Sequence, residues 1–146
     1  MLTIEDGTGV TDADSFITEA ECEAFEVALF GTALTSTSRE AALRRAYVVM
    51  MGYSWVGDFP TFGGEVPTKV KMAQAVLARE EMTAAGSLSP VVTPSEKVLT
   101  RVGNLAWETS KAAATAANSR PRVAMAMDLL SGLIRENGGT KYVGRA

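Results

Sequence analysis

Apolar positions recur along most of this chain at three- and four-residue spacing, and four stretches carry that rhythm well enough to predict helices. The strongest runs over 66–88. Val66, Val70, Ala73, Leu77, Ala84 and Leu88 fall within one arc, Pro67 suits the first helical position, and Gly86 suits a left-handed stop. Met72, Val76 and Thr83 form a second, mostly apolar stripe between Lys69, Arg79 and Glu80. A helix with two apolar sides needs two things to pack against. The segment is therefore expected at the centre of the domain, with Met72 and Val76 offered to a neighbouring subunit.

The other three helices follow by the same logic. Thr18 and Glu21 make a capping box that opens a helix running to about Phe30, with Gly31 ending it. Cys22, Phe25 and Leu29, with Ala24 and Ala28, should face inward; Glu19, Glu23 and Glu26 should face out, favoured by the positive end of the helix dipole. A second helix starts from a Thr37–Glu40 box and reaches Tyr53, burying Leu43, Ala46, Tyr47, Val49, Met50 and Tyr53. Arg44 and Arg45 point away from that face, and so do Val48 and Met51, the kind of apolar residues beside arginine that a protein contact uses. The last helix, over 119–135, opens near Pro121 and turns Val123, Met127, Leu130 and Ile134 inward.

Between helices the rhythm changes. Residues 1–17 read as an extended arm with a turn at Glu5-Asp6-Gly7-Thr8-Gly9, lacking the ligand spacing of a calcium loop or the Gly-Lys-Ser/Thr of a phosphate loop. Tyr53, Trp55, Phe59 and Phe62, broken by glycine and proline, suit a loop folded over the bundle. Over 95–109 the period becomes two, around a Gly103-Asn104 turn, which predicts a β-hairpin or projecting loop including Arg101 and Trp107. Residues 110–118 are alanine-rich and weakly patterned, and 136–146 read as a basic, flexible tail anchored by Tyr142. The fold expected is mainly α: one domain over 1–146, a small bundle of about four helices with a helical core at 18–88, a protruding hairpin and extended terminal arms.

Composition narrows the function. The net charge of −3 hides an imbalance: residues 1–40 hold nine acids and one base, whereas 41–146 hold eight acids and thirteen bases, so the two parts carry −8 and +5. Such polarity lets one copy's acidic region face another copy's basic region, or simply remains solvated. Histidine is absent, and no metal-ligand cluster, nucleotide loop or nucleophile with an evident base stands out, so no enzyme and no cofactor or metal is expected. Glu80 and Glu81 point about 100° apart on a helix, poorly placed for shared acid–base work, and read as solvated surface. The single cysteine, Cys22, reads as a buried thiol. No apolar run approaches the roughly 20 residues of a membrane span, and no secretory leader pattern opens the chain, so a cytoplasmic setting is expected.

Several short motifs occur in a telling order: Ile4-Glu5-Asp6-Gly7-Thr8-Gly9-Val10, Asp14-Ser15-Phe16-Ile17, Tyr53-Ser54-Trp55-Val56-Gly57 and Val66-Pro67-Thr68-Lys69-Val70-Lys71-Met72-Ala73-Gln74-Ala75. Together with Ser95-Glu96-Lys97-Val98 and Pro121 before Leu129-Leu130, this resembles the head–tail connector, or neck adaptor, proteins of tailed bacteriophages, often labelled DnaT-like single-stranded DNA-binding proteins. The alanine-rich 110–118 insert and glycine-rich tail depart from the pattern. The resemblance implies a homo-oligomeric ring of about twelve copies in the virion neck, assembled in the host cytoplasm, between the portal protein and a downstream neck or tail protein. Double-stranded DNA would pass through its channel. On this reading Lys141, Tyr142 and Arg145 reach the portal, while Met72 and Val76 of one copy meet Val48 and Met51 of the next.

The competing expectation is single-stranded DNA binding, with Trp55, Phe59, Phe62 and Trp107 stacking on bases and Lys97, Arg101 and Lys111 following the backbone. A sequence pI near 5.0 argues for a weak electrostatic contribution.

Overall fold

A computed structural model describes residues 1–89, 101–102, 105–106 and 123–135. Within them the chain is mainly helical, with four helices and two small antiparallel strand pairs: α1 (Glu19–Phe30), α2 (Arg39–Met51), β1 (Ser54–Trp55), α3 (Thr68–Thr83), β2 (Arg101–Val102), β3 (Leu105–Ala106), α4 (Ala124–Leu129) and β4 (Ile134–Arg135).

Helix α3 is the hub, and α1, α2 and α4 all pack on it. Val70, Ala73, Gln74, Ala75, Val76, Leu77, Ala78 and Glu81 are buried, so apolar or small residues meet neighbours on nearly every side. Three alanines in that set let the surrounding helices come close, and a leucine such as Leu77 gains about 1.5–3 kcal/mol from complete burial. The two apolar sides expected on this helix both exist. On the second, Val76 is buried by the chain itself, Met72 is half-buried and Thr83 is exposed.

The helix is shorter than 66–88. Pro67 stands before the first turn as its cap residue, and Ala84 leaves the helix in an extended conformation. Glu81 supplies the reason: its buried carboxylate accepts the backbone N–H groups of Gly86 and Leu88, both at 3.0 Å. The chain folds back through Gly86, at φ 87°, and buries Leu88, while Ala84 is exposed. Glu81 is thus an internal organiser, not solvated surface.

Helix α1 opens on the predicted box, with Thr18 Oγ1 accepting Glu21 N–H at 3.2 Å and the Glu21 carboxylate accepting Thr18 N–H at 2.8 Å. Gly31 closes it at φ 82°. Its faces differ from the expected ones: Glu26 is wholly buried, and Ala24 and Ala28 are exposed. The Thr37–Glu40 box does not form either. Helix α2 begins after Ser38 with no side-chain cap, and Glu40 instead pairs with Arg44 at 2.7 Å.

Within the described residues the final helix occupies Ala124–Leu129 and stops short of residue 135; residues 119–122 of the expected span lie outside the described residues. Gly132, at φ 85°, turns the chain, and Ile134 and Arg135 pair antiparallel with Trp55 and Ser54. Ile134 is buried as a strand residue, not as a fourth helical contact. The predicted hairpin is present as paired strands, Arg101 opposite Ala106 and Val102 opposite Leu105.

Candidate functional site

Three buried polar centres tie the N-terminal arm and the helices together. The first is Glu5, fully buried, whose carboxylate accepts the N–H groups of Gly7 (2.8 Å), Gly9 (2.9 Å) and Val10 (2.8 Å). Three donors satisfy a charge that burial would otherwise make costly. The turn it closes lies hard against Gly64 and Glu65: a Cβ built on Gly7 would sit 2.5 Å from the Gly64 carbonyl oxygen. Glu5-x-Gly-x-Gly is therefore a structural clasp for the arm.

The second is Gln74, buried within α3. Its Oε1 accepts Phe16 N–H at 2.8 Å, and its Nε2 donates to Ser15 Oγ and to the Leu43 carbonyl, each at 2.9 Å. One amide thus ties arm, α2 and α3 together. Nearby, Arg44 Nε donates to Asp14 at 2.7 Å, and Asp14 accepts Thr3 N–H at 2.7 Å. Burial pushes the Asp14 carboxyl up, but these contacts outweigh it and hold the group below the usual carboxylate range.

The third is a buried ionic knot between α1 and α2. Arg39, 3% exposed, donates to Glu23 at 2.9 Å, to Glu26 at 3.3 Å and to the Leu34 carbonyl. Glu26 also accepts Leu34 N–H at 2.7 Å, and Arg79 approaches it at 3.6 Å. Cys22 lies 3.8 Å from Glu26, and burial, reinforced by that carboxylate, pushes its thiol up to about 12. Such a thiol is no nucleophile. The first two centres spend their polar groups mainly on backbone, while the third joins side chains of α1 and α2 and leaves the buried Arg39 Nε without a hydrogen-bond partner among the described residues. Among the described residues no group of three or more His, Cys, Asp or Glu could hold a metal ion.

The aromatic loop packs. Trp55 stacks on Phe59 with centroids 4.8 Å apart, Phe62 meets Trp55 edge-on at 5.2 Å, and Phe16 and Tyr47 extend the cluster. Trp55 Nε1 donates to the Met50 carbonyl at 2.8 Å. The rings therefore spend faces on one another, half-buried over the end of α2.

Exposed apolar surface lies elsewhere. Val48 and Met51 on α2 are 64% and 56% exposed, as the sequence pattern predicts, and Val56 follows at 55%. Val76, expected at the same subunit contact, is 3% exposed and offers it little surface; Met72 is half-buried. The periodicity does not separate an apolar face awaiting another copy from one awaiting α4 later in the same chain. In their place stand two residues that the helical pattern did not single out: Val27, 52% exposed on the outer side of α1, and Phe30, 39% exposed with the Arg79 guanidinium 4.4 Å over its ring. A signal for the first exists in the sequence: Val27 falls opposite the Cys22, Phe25 and Leu29 stripe.

A groove of about 140 Å³ runs beside Phe30, with Val76, Arg79, Glu80, Thr83, Val123 and Met125 around it. That is well below the ~300–1,000 Å³ of small-molecule sites. Of the remaining expected site residues, Arg101 contributes its backbone to β2, while Gly103, Asn104, Trp107, Lys141, Tyr142 and Arg145 lie outside the described residues, as do Lys97 and Lys111.

Residues 1–61 match the sequence model of a family described as "Putative DnaT-like ssDNA binding protein". The matched stretch takes in the Glu5 clasp, α1, α2, β1 and most of the aromatic loop, and stops short of α3. No curated protein and no solved structure matches the chain.

Proposed function

We propose that this chain is a structural assembly subunit, without enzymatic activity, that works through protein–protein contacts as a head–tail connector of a tailed bacteriophage. Copies join as a ring in the virion neck, seated on the portal protein and receiving a downstream neck or tail protein. One observation carries the reading: the described polar and charged centres are consumed internally, whereas Val27, Phe30, Val48, Met51 and Val56 leave apolar surface outside on separate elements. Apolar side chains on more than one flank suit a subunit with more than one neighbour. The connector identity itself rests on the sequence resemblance.

A second reading is single-stranded DNA binding, and the family match over residues 1–61 favours it by its description. Against it stand Trp55, Phe59 and Phe62, whose faces pack on one another, and Arg39, Arg44, Arg45 and Arg79, which pair with carboxylates. One pair of measurements separates the two. Native mass spectrometry of the protein alone and with portal is expected to give rings and a portal complex. Titration of a labelled oligonucleotide at low salt is expected to give no saturable binding. Tight, salt-dependent oligonucleotide binding by a protein that forms neither ring nor portal complex would establish the second reading instead.

A further inference from the structure

The N-terminal arm and the aromatic loop bear on each other at three places. The turn closed by Glu5 brings Gly7 so close to the loop that a Cβ on it would lie 2.5 Å from the Gly64 carbonyl oxygen and 2.7 Å from the Glu65 nitrogen. A Cβ on Gly9 would lie 3.6 Å from the Thr61 methyl, in ordinary contact. Farther along the arm, buried Phe16 meets Phe59 edge-on at 5.7 Å and Phe62 at 6.0 Å. The loop under these contacts is strained, because Phe62, Gly63 and Gly64 follow one another at φ 51°, 80° and 123°. A left-handed phenylalanine persists only where its surroundings hold it. Two bonds close the loop on itself, from Phe62 N–H to the Asp58 carbonyl and from Gly64 N–H to the Thr61 carbonyl, and three close the arm's turn on Glu5. Each half is closed internally, and the two meet with no room between them at Gly7 and Gly64.

We propose that residues 1–16 of the arm and residues 57–65 of the loop form one strap, which opens and closes as a single unit while α1, α2 and α3 stay folded. Opening releases the Phe16 N–H from Gln74, withdraws the Phe16 ring from Phe59 and Phe62, and lets Phe62 leave its left-handed conformation. Trp55 stays behind, paired with Ile134 across β1 and β4 and bonded to the Met50 carbonyl. Coupling of this kind is reciprocal, so a change confined to the loop must be felt in the arm.

Gly63→Ala in the full chain tests this. A Cβ there meets nothing within 4 Å, so the change acts through the left-handed backbone alone, which should make opening about 5- to 30-fold more frequent. Gly31→Ala is the control, at φ 82° with the same open space around it, but at the end of α1. Native-state hydrogen exchange read amide by amide by NMR follows Gly7, Gly9 and Val10 in the arm and Phe62 and Gly64 in the loop, against Leu77 in α3. In wild type the five strap amides should be less protected than Leu77. Gly63→Ala should raise exchange at all five by a common factor, and Gly31→Ala at none of them. Arm amides as protected as Leu77 in wild type, unmoved by Gly63→Ala, or sped up by Gly31→Ala would overturn the proposal. Should Gly63→Ala fail to fold, Gly63→Asn, which tolerates the left-handed region better, is read by the same outcomes with a smaller factor.

Discussion

Gln74→Leu isolates the polar hub at nearly constant volume. The substitution removes one acceptor and two donors from a site with no measurable exposure. Phe16 N–H then loses its partner in the interior, which costs about 1–3 kcal/mol. The Leu43 carbonyl loses a second bond that adds to its place in α2, worth about 1 kcal/mol at most. Ser15 still donates to the Ile17 carbonyl at 2.6 Å, so its hydroxyl stays satisfied. The total is about 1–4 kcal/mol, a large share of the ~5–15 kcal/mol typical of a domain, and equivalent to a fall in Tm of up to roughly 10 °C. Urea unfolding followed by tryptophan fluorescence measures it as a lower midpoint at unchanged slope. Hydrogen exchange should show the Phe16 amide, and the arm with it, opening more often than the centre of α3. A Gln74→Leu variant within about 0.5 kcal/mol of wild type would refute the claim that one amide joins the arm to the bundle.

Two further outcomes follow from the same geometry. Gly7→Ala places a methyl against the Gly64 carbonyl at a residue whose φ is 105°, so the arm should come undone at a cost of about 1–3 kcal/mol, read as faster proteolysis within residues 1–17. For Glu81, burial pushes the carboxyl up, but the N–H groups of Leu88 and Gly86 and then Arg45 bring it below its ordinary value of 4.5. A lowered folded-state value means its stabilisation is complete above 4.5 and disappears as pH falls through that lower value. Glu81→Gln should therefore flatten the acid limb of stability against pH in that window; an unchanged limb would contradict it.

Much of the architecture was legible because it depends on neighbours in sequence. The Thr18–Glu21 box and Gly31 bound α1 from side chains three residues apart or from the freedom of one glycine, so α1 ends where the pattern says. The alternation around Gly103-Asn104 likewise located β2 and β3. Glu26, Glu81 and Gln74 were not legible. The pattern reads Glu26 and Glu81 as outward and gives Gln74 no role, but each is satisfied inside by a group that a helical wheel cannot show, Arg39 for Glu26 and the Phe16 backbone for Gln74.

Local pattern by itself determined that this chain is mainly helical, where α1 begins and ends, that the segment around Leu77 is central, and that Val48 and Met51 face outward. Only tertiary structure decided which apolar face would stay open. Val76 and Val27 are alike as residues, yet α4 packs on α3 with Val123 and Met125 near Val76, which is 3% exposed, while Val27 stays 52% exposed. Periodicity states that a face is apolar; what lies across from it is set by chain returns such as the β1–β4 pairing, which no local spacing encodes.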